Sequence, residues 1–263
     1  MTDPRSLFAR YLRQRMELAD PPLFFDGAAP DVPPVGAVQA GLPSDQPPPR
    51  WLRDAPPIPQ RGMVVPAPPR DLFNADPLAQ LDLDALAQRI RTCRLCPLCE
   101  SRTHAVPGEG PVDARLAVVG EGPGATEDET GRPFVGRAGE LLTEILSAID
   151  LPREQVYICN VVKCRPPANR KPNPSEIEAC VPYLYRQLEF LRPAVILAMG
   201  GTAAETLLGI RQPLGAMRKK VHDFRGIPLV VTYHPAALLR NPHWKKPTWD
   251  DVRIARQLVA QSS

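Results

Sequence analysis

Four cysteines in two separated groups set the strongest limit on how this chain can fold. Cys93 and Cys96 form a C-x-x-C, while Cys164 and Cys180 follow much later with fifteen residues between them. A glycine-rich acidic loop lies between the groups: Gly120-Glu121-Gly122-Pro123-Gly124-Ala125-Thr126-Glu127-Asp128. Thiols this far apart in sequence suit one metal centre that gathers them and pins the flanks of an active site. Disulfides suit the chain poorly. No apolar stretch with a basic start and a small-residue cleavage site directs it to an oxidising compartment, so a cytoplasmic protein is expected. Cys99 makes a second C-x-x-C with Cys96 and competes with Cys93 as a ligand, whereas Cys159 sits in an apolar run and reads as a small core residue. Four thiolates suit zinc as well as an iron–sulfur cluster, and the residues alone leave that choice open.

Proline divides the chain. Of its 34 prolines, 17 fall in residues 1–78, including Pro47-Pro48-Pro49 and Pro66-Ala67-Pro68-Pro69. That density removes backbone donors and resists helix and sheet, so 1–78 is expected to be a mostly disordered extension. One piece of it, residues 6–18, carries Leu7, Phe8, Tyr11, Leu12 and Met16 at helical spacing, and such a helix could dock on its own domain or on another protein. Residues 79–263 are long enough for a substantial core.

The net charge of +3 excludes a strongly basic nucleic-acid binder, so any such contact must come from local patches. All six lysines fall after residue 160, as Lys163 and Lys171, Lys219 and Lys220, and Lys245 and Lys246. Three groups in three candidate site loops predict a rim facing phosphates. No apolar run reaches membrane-spanning length.

The core alternates between two periodicities. Apolar runs at 116–120, 156–162, 194–199 and 229–233 read as buried strands. Helical patterns over 83–90, 141–149, 174–191, 200–208 and 248–258 separate or flank them. Such alternation predicts an α/β fold with a four-stranded parallel sheet flanked by helices on both faces. Ligands of such sheets sit at the carboxyl ends of the strands. Gly120-Glu121, Asn160 to Lys163, Gly200-Gly201 and Tyr233-His234 should therefore line one crevice.

The loop at 120–128 lacks the Gly-Lys-Ser/Thr ending of a phosphate loop and the glycine spacing of a dinucleotide fingerprint. Two glycines around Pro123 instead fit a backbone held close to a flat ligand, with a solvated acidic turn as the plain alternative. The wider pattern is far more specific. Gly120-Glu121-Gly122-Pro123-Gly124, Glu127-Asp128 and Thr130-Gly131-Arg132-Pro133-Phe134-Val135-Gly136 closely resemble the family 4 uracil-DNA glycosylases. So do Asn160-Val161-Val162-Lys163-Cys164-Arg165-Pro166-Pro167 with Asn169-Arg170, and His234-Pro235-Ala236-Ala237-Leu238-Leu239-Arg240. The likeness runs from about Cys93 to the C-terminus.

The resemblance implies a DNA repair enzyme that releases uracil and leaves an abasic site. It implies a [4Fe–4S] cluster on Cys93, Cys96, Cys164 and Cys180; the spacing from Cys96 to Arg102-Thr103 agrees with that ligand set and makes Cys99 incidental. Glu121, Gly122 and Pro123 would touch the base, Phe134 would stack on it, and Asn160 would read its edge. His234 would donate to uracil O2. Glu121, Glu127 and Asn169 are the candidates for positioning water and balancing the cationic sugar, with no ranking among them. Arg170, Lys171, Lys219, Lys220 and Arg240 would hold phosphates. Uracil-containing DNA is the expected partner of a monomer, which places the protein with the nucleoid.

Two rivals remain. X-type glycosylases trap the sugar on a histidine in a Lys-Arg-Arg-Ile-His loop, but the corresponding stretch here, Arg165 to Pro172, has no histidine. A non-catalytic iron–sulfur DNA-binding module is the second; an electron-transfer protein fits less, because the Gly/Pro loop and His-Pro turn would have no purpose.

Overall fold

The structure, a computed structural model, describes residues 47–67 and 77–262. The helix expected over 6–18 lies outside the described residues.

Strand β2 (Leu116–Gly120), β3 (Val156–Asn160), β4 (Val195–Met199) and β6 (Ile227–Thr232) are the four expected parallel strands, in the order β3-β2-β4-β6. The sheet nevertheless has six strands rather than four. β5 (Val221–Phe224) pairs antiparallel with β6, and β1 (Arg61–Val65) adds to β5 in parallel. β5 and β6 form a hairpin through Arg225-Gly226, both at positive φ (54° and 87°), the conformation whose twist matches a two-residue turn. β1 falls inside the stretch expected to be a tail. Residues 47–60 also belong to the sheet unit: Trp51 is buried, and Arg256 lies over its ring at 4.5 Å. Arg253 donates to the carbonyls of Arg53 and Asp54, both at 3.0 Å. Residues 47–67, inside that stretch, therefore pack with the domain.

Alternate residues of each central strand feed two cores. Ala117, Val119, Tyr157, Cys159, Ile196 and Ala198 face a layer built from α1 (Leu83–Arg91), α5 (Pro174–Leu191) and α6 (Gly201–Leu208). Leu116, Val118, Val156, Ile158, Val195 and Leu197 face α4 (Arg137–Ala148) and α9 (Lys245–Gln261). Both faces being covered explains why these strands read as continuous apolar runs. The remaining helices are short: α2 (Leu98–Ser101), α3 (Ala125–Thr130), α7 (Leu214–Met217) and α8 (Pro235–Arg240). α3 overlaps the end of the segment read as a glycine-rich acidic loop, 120–128.

One close approach locks the mouth of the sheet. Phe134 sits at φ 51°, a left-handed conformation that side chains rarely adopt. Arg153 holds it there, donating through Nη1 to the Phe134 carbonyl at 2.8 Å and through Nη2 to the Pro133 carbonyl. Gly139 on α4 packs directly under that carbonyl, where an added Cβ would overlap it. Gly139→Ala is expected to cost about 2 kcal/mol or more of stability, the scale of an overpacked core. A denaturant titration checks this; an unchanged midpoint would mean that the contact can relax.

Candidate functional site

The carboxyl ends of β2, β3, β4 and β6 open onto a cleft of about 540 Å³. Glu121, Gly122, Pro123, Glu127, Phe134, Asn160, Asn169, Arg170, His234 and Arg240 all line it. The expected crevice thus brings together residues spread over 120 positions of sequence.

Asn160 ends β3 and is buried, and its Oδ1 has no hydrogen-bond partner among the described residues. Such an acceptor is costly to leave unpaired, so the site is built for a donor from outside. Phe134 is buried beside it. Gly120 lets the two converge: a Cβ there would sit 2.5 Å from Phe134 Cζ and collide with Asn160 Oδ1. Phe134 and His234 stack with centroids 5.4 Å apart and planes 30° apart. Gly200, at φ 91°, faces His234, where a Cβ would come within 3.2 Å of the histidine Cβ.

His234 caps α8. Its Nδ1 accepts from the Ala236 amide at 3.2 Å, which leaves the proton of a neutral ring on Nε2. Burial pushes the imidazole down to about 4, Arg240 adding to the fall and Glu127 opposing it. The ring is therefore a neutral Nε2–H donor at ordinary pH.

The three candidates for handling water differ in what their side chains already do. Both oxygens of Glu127 accept backbone amides: Oε2 from Gly124, and Oε1 from Val135 and Gly136, all at 3.0 Å. That carboxylate ties the glycine loop to the Phe134 turn. Asn169 stands exposed on a 3-10 turn, Pro167–Asn169, and its Oδ1 accepts from Arg165 Nε at 2.8 Å. Glu121 accepts from the Thr202 hydroxyl through Oε2, and its Oε1 takes no hydrogen bond among the described residues.

The expected phosphate rim is only partly present. Lys163 does not belong to it: the side chain is fully buried, donating to the Asn160 carbonyl at 2.7 Å and to Gln187 Oε1 at 2.6 Å. Arg170 lines the cleft but makes a two-pronged pair with Glu176, at 2.6 and 2.9 Å. Lys171 pairs with Glu205 at 3.1 Å, outside the cleft lining. Lys219 and Lys220 are exposed ahead of β5, whose antiparallel register puts them at the cleft end of the sheet without lining the cleft. Arg240, Lys245 and Lys246 are exposed.

Sequence reasoning missed Arg153, Thr202 and Trp244 at this site. Arg153 and Thr202 act through partners many residues away, which no local pattern reveals. Tyr233 was expected at the crevice with His234 and lines it, whereas Trp244 lies beyond the motif at 234–240 and carried no local signal.

The cysteines converge on a second site. Cys93, Cys96, Cys99, Cys164 and Cys180 line one small recess with Arg102, Lys163 and Tyr183. Arg102 links its two halves: Nη1 donates to Cys164 Sγ, and Nη2 donates to the Arg91 and Cys93 carbonyls, all at 2.9 Å. Burial pushes the Cys96, Cys164 and Cys180 thiols up, the last to about 12, and neighbouring cysteines add to the rise. Among the described residues no three Cys, His, Asp or Glu side chains meet closely enough to chelate a single ion. The recess offers sulfur from several sides of a gap instead. Cys159 lies apart, buried in the core.

The Uracil DNA glycosylase superfamily model matches residues 107–255. Among similar proteins is a type-4 uracil-DNA glycosylase of Thermotoga maritima, 49% identical over 181 residues, covering 67% of this chain and 94% of that protein. The type-4 uracil-DNA glycosylase of Pyrobaculum aerophilum is 47% identical over 173 residues, covering 62% and 87%. That of Archaeoglobus fulgidus is 42% identical over 187 residues, covering 68% and 94%. With a cleft assembled from the motifs at 120–136, 160–170 and 234–240, this chain belongs to the uracil-DNA glycosylase superfamily, among the type-4 uracil-DNA glycosylases.

Proposed function

We propose that this protein hydrolyses the N-glycosidic bond of uracil in DNA, releasing the free base and leaving an abasic site. The observation that carries this is the convergence of Phe134, Asn160 and His234 on one cleft. A glycosylase must hold an extruded base, read its edge and stabilise its departure. Phe134 gives the stacking face. Asn160 Oδ1, unpaired, accepts from uracil N3–H while the amide nitrogen donates to O4. Cytosine presents the reverse pattern and would leave both groups buried and unpaired. As the bond breaks, negative charge grows on the base and positive charge on the sugar. The His234 Nε2–H, aimed at O2, stabilises that state more than the ground state.

Glu121 orients the attacking water and balances the sugar. The reasoning is by occupancy: Glu127 has both oxygens on backbone amides and the Asn169 oxygen is engaged by Arg165, whereas Glu121 keeps one oxygen unengaged among the described residues. Asn169 serves as a contact to the substrate strand. Arg240, Lys219 and Lys220 supply the phosphate contacts, and the protein works as a monomer on uracil-containing DNA in the cytoplasm, at the nucleoid. Among the described residues no helix is long and apolar enough to cross a membrane.

Cys93, Cys96, Cys164 and Cys180 would hold a [4Fe–4S] cluster, and a recess lined by five cysteines with an arginine donating to one sulfur fits it. Its contribution when bound is structural, tying the segment after α1 to the strand-end segment that carries Asn160.

Incubation with a uracil-containing oligonucleotide, with thymine, hypoxanthine and mismatch controls and alkaline cleavage, tests the reading. Strand breaks at uracil and no protein–DNA band surviving denaturation are expected; a persistent band would favour the covalent X-type route. His234→Ala should cost about 10²–10³ in kcat, and Glu121→Gln about 10². A non-catalytic DNA binder would keep its affinity in both variants and show no excision to lose. Because the imidazole titrates near 4, kcat/KM should show no inflection near 6.5. The depressed value also means the unfolded chain takes up a proton first below 6.5, so stability falls as pH drops from there.

Glu127→Gln separates a loop clamp from a water base. One oxygen of its carboxylate becomes an amide that must face backbone N–H groups, so the melting temperature should fall together with activity. Loss of activity at an unchanged melting temperature would return Glu127 to the chemistry.

Cysteine replacement tests the ligand set. Cys93→Ser should lose the broad visible absorption of an iron–sulfur protein, and Cys99→Ser should keep it. The reverse outcome would exchange their roles, and a colourless zinc protein would overturn the cluster.

A further inference from the structure

We propose that Trp244 is a stacking platform for a nucleobase adjoining the extruded uracil, a subsite beyond the base pocket. It rests on the uracil-DNA reading above. Trp244 and Tyr233 stack almost face to face, with centroids 4.6 Å apart and planes 8° apart, and both line the cleft. The far face of Tyr233 is covered by the Arg218 guanidinium, 4.4 Å from the ring centroid. Arg218 is buried and paired with Asp251 at 2.7 Å, and it donates to the Pro247 carbonyl at 2.9 Å. Asp251 also accepts from Thr232 at 2.8 Å. A ladder of Asp251, Arg218, Tyr233 and Trp244 thus starts in the core and ends at the cleft.

Such a plate is already fixed in place, so a base landing on it orders little new structure. The other ring near Trp244 among the described residues is His243, edge-on at 5.5 Å and exposed. Phe134 stacks with His234 and serves the uracil, whereas Trp244 stacks with Tyr233 instead and is left for a neighbour in the strand. Exposed Lys245 and Lys246 follow Trp244 directly, and exposed Arg240 lines the same cleft. Aromatic plates flanked by cations suit single-stranded nucleic acid, because every base has a face to stack and every linkage a charge. The alternative is that the Tyr233–Trp244 pair only packs the junction between β6 and α9.

The test pairs protein and substrate changes on the intact protein. The KM for uracil excision is measured for wild type, Trp244→Leu and Trp244→Phe. Each is run on an oligonucleotide with normal neighbours and on two others, in which a tetrahydrofuran abasic analogue replaces the base 5′ or 3′ to uracil. Trp244→Leu should raise KM about tenfold on the normal strand, within the range that base–aromatic stacking supplies. Trp244→Phe should stay within about threefold of wild type. The leucine penalty should disappear on one of the two abasic-flanked strands, which identifies the stacked neighbour. An equal penalty on all three strands would reduce the pair to packing, and an unchanged KM in Trp244→Leu would overturn the inference outright. Failure of the wild type to excise uracil from any strand would strike the glycosylase reading itself and take this subsite with it.

Discussion

The site depends on backbones approaching Phe134 more closely than any side chain permits. Gly139 lets α4 lie under the Phe134 carbonyl, and Gly120 lets the Phe134 ring reach the Asn160 amide. The left-handed Phe134 backbone carries a strain of about 1–3 kcal/mol, which persists only where surroundings over-determine it. Arg153 supplies that restraint, and Glu109 holds Arg153 at 2.6 Å while bridging to Ile158 on β3. Burial works against the Glu109 charge, yet hydrogen bonds from Arg132 and Arg153 keep its carboxyl below the usual range. Glu127 gathers the neighbouring amides of Val135 and Gly136 from the other side. The Phe134 ring is thus set by two half-buried charged clamps and two glycines.

What could be read from the sequence followed what is local. Four parallel strands came from continuous apolar runs, because each strand is buried on both faces and leaves no polar alternation to confuse them. β5 escaped because it is four residues long, half polar, and closed by Arg225-Gly226 rather than by a familiar Asn-Gly turn. β1 escaped because prolines surround it, although Arg61 to Val65 contains none and an edge position tolerates such neighbours. The pocket residues Asn160, Phe134 and His234 were legible as motifs, whereas the partners that fix them were not. Glu127 and Glu121 look alike in a sequence; only their hydrogen bonds separate a clamp from a carboxylate with capacity to spare.

The lysines teach a related lesson about charge. Position in a loop near the cleft does not make a cation available to phosphate. Lys163 is turned into the core, where burial lowers its pKa while Cys159 and Cys180 oppose the fall. Its ammonium binds the carbonyl of Asn160 and, through Gln187, reaches the Tyr157 hydroxyl and the Pro107 carbonyl. It therefore steadies the segment that carries both Asn160 and Cys164. Arg170 and Lys171 are held by acids on α5 and α6, so their fields largely cancel. Among the described residues no acid pairs with Arg240, Lys245 and Lys246, or with Lys219 and Lys220 near the start of β5, and positive potential remains there.

His234 shows how one dipeptide settles several properties at once. Proline at 235 bars the preceding residue from helical backbone, and His234 duly lies at φ −71° and ψ 139°. In that conformation its side chain folds back as the cap of α8, and Nδ1 meets the Ala236 amide. A protonated ring would point N–H at N–H there, so the contact itself favours the neutral form that burial already imposes. The remaining proton must then lie on Nε2. A donor that is neutral, held on both sides and unable to take up a proton at ordinary pH suits a leaving group whose charge appears only as the bond breaks. A cationic imidazole would attract the phosphates of any strand as strongly before reaction as during it, and much of its effect would be lost to uniform binding.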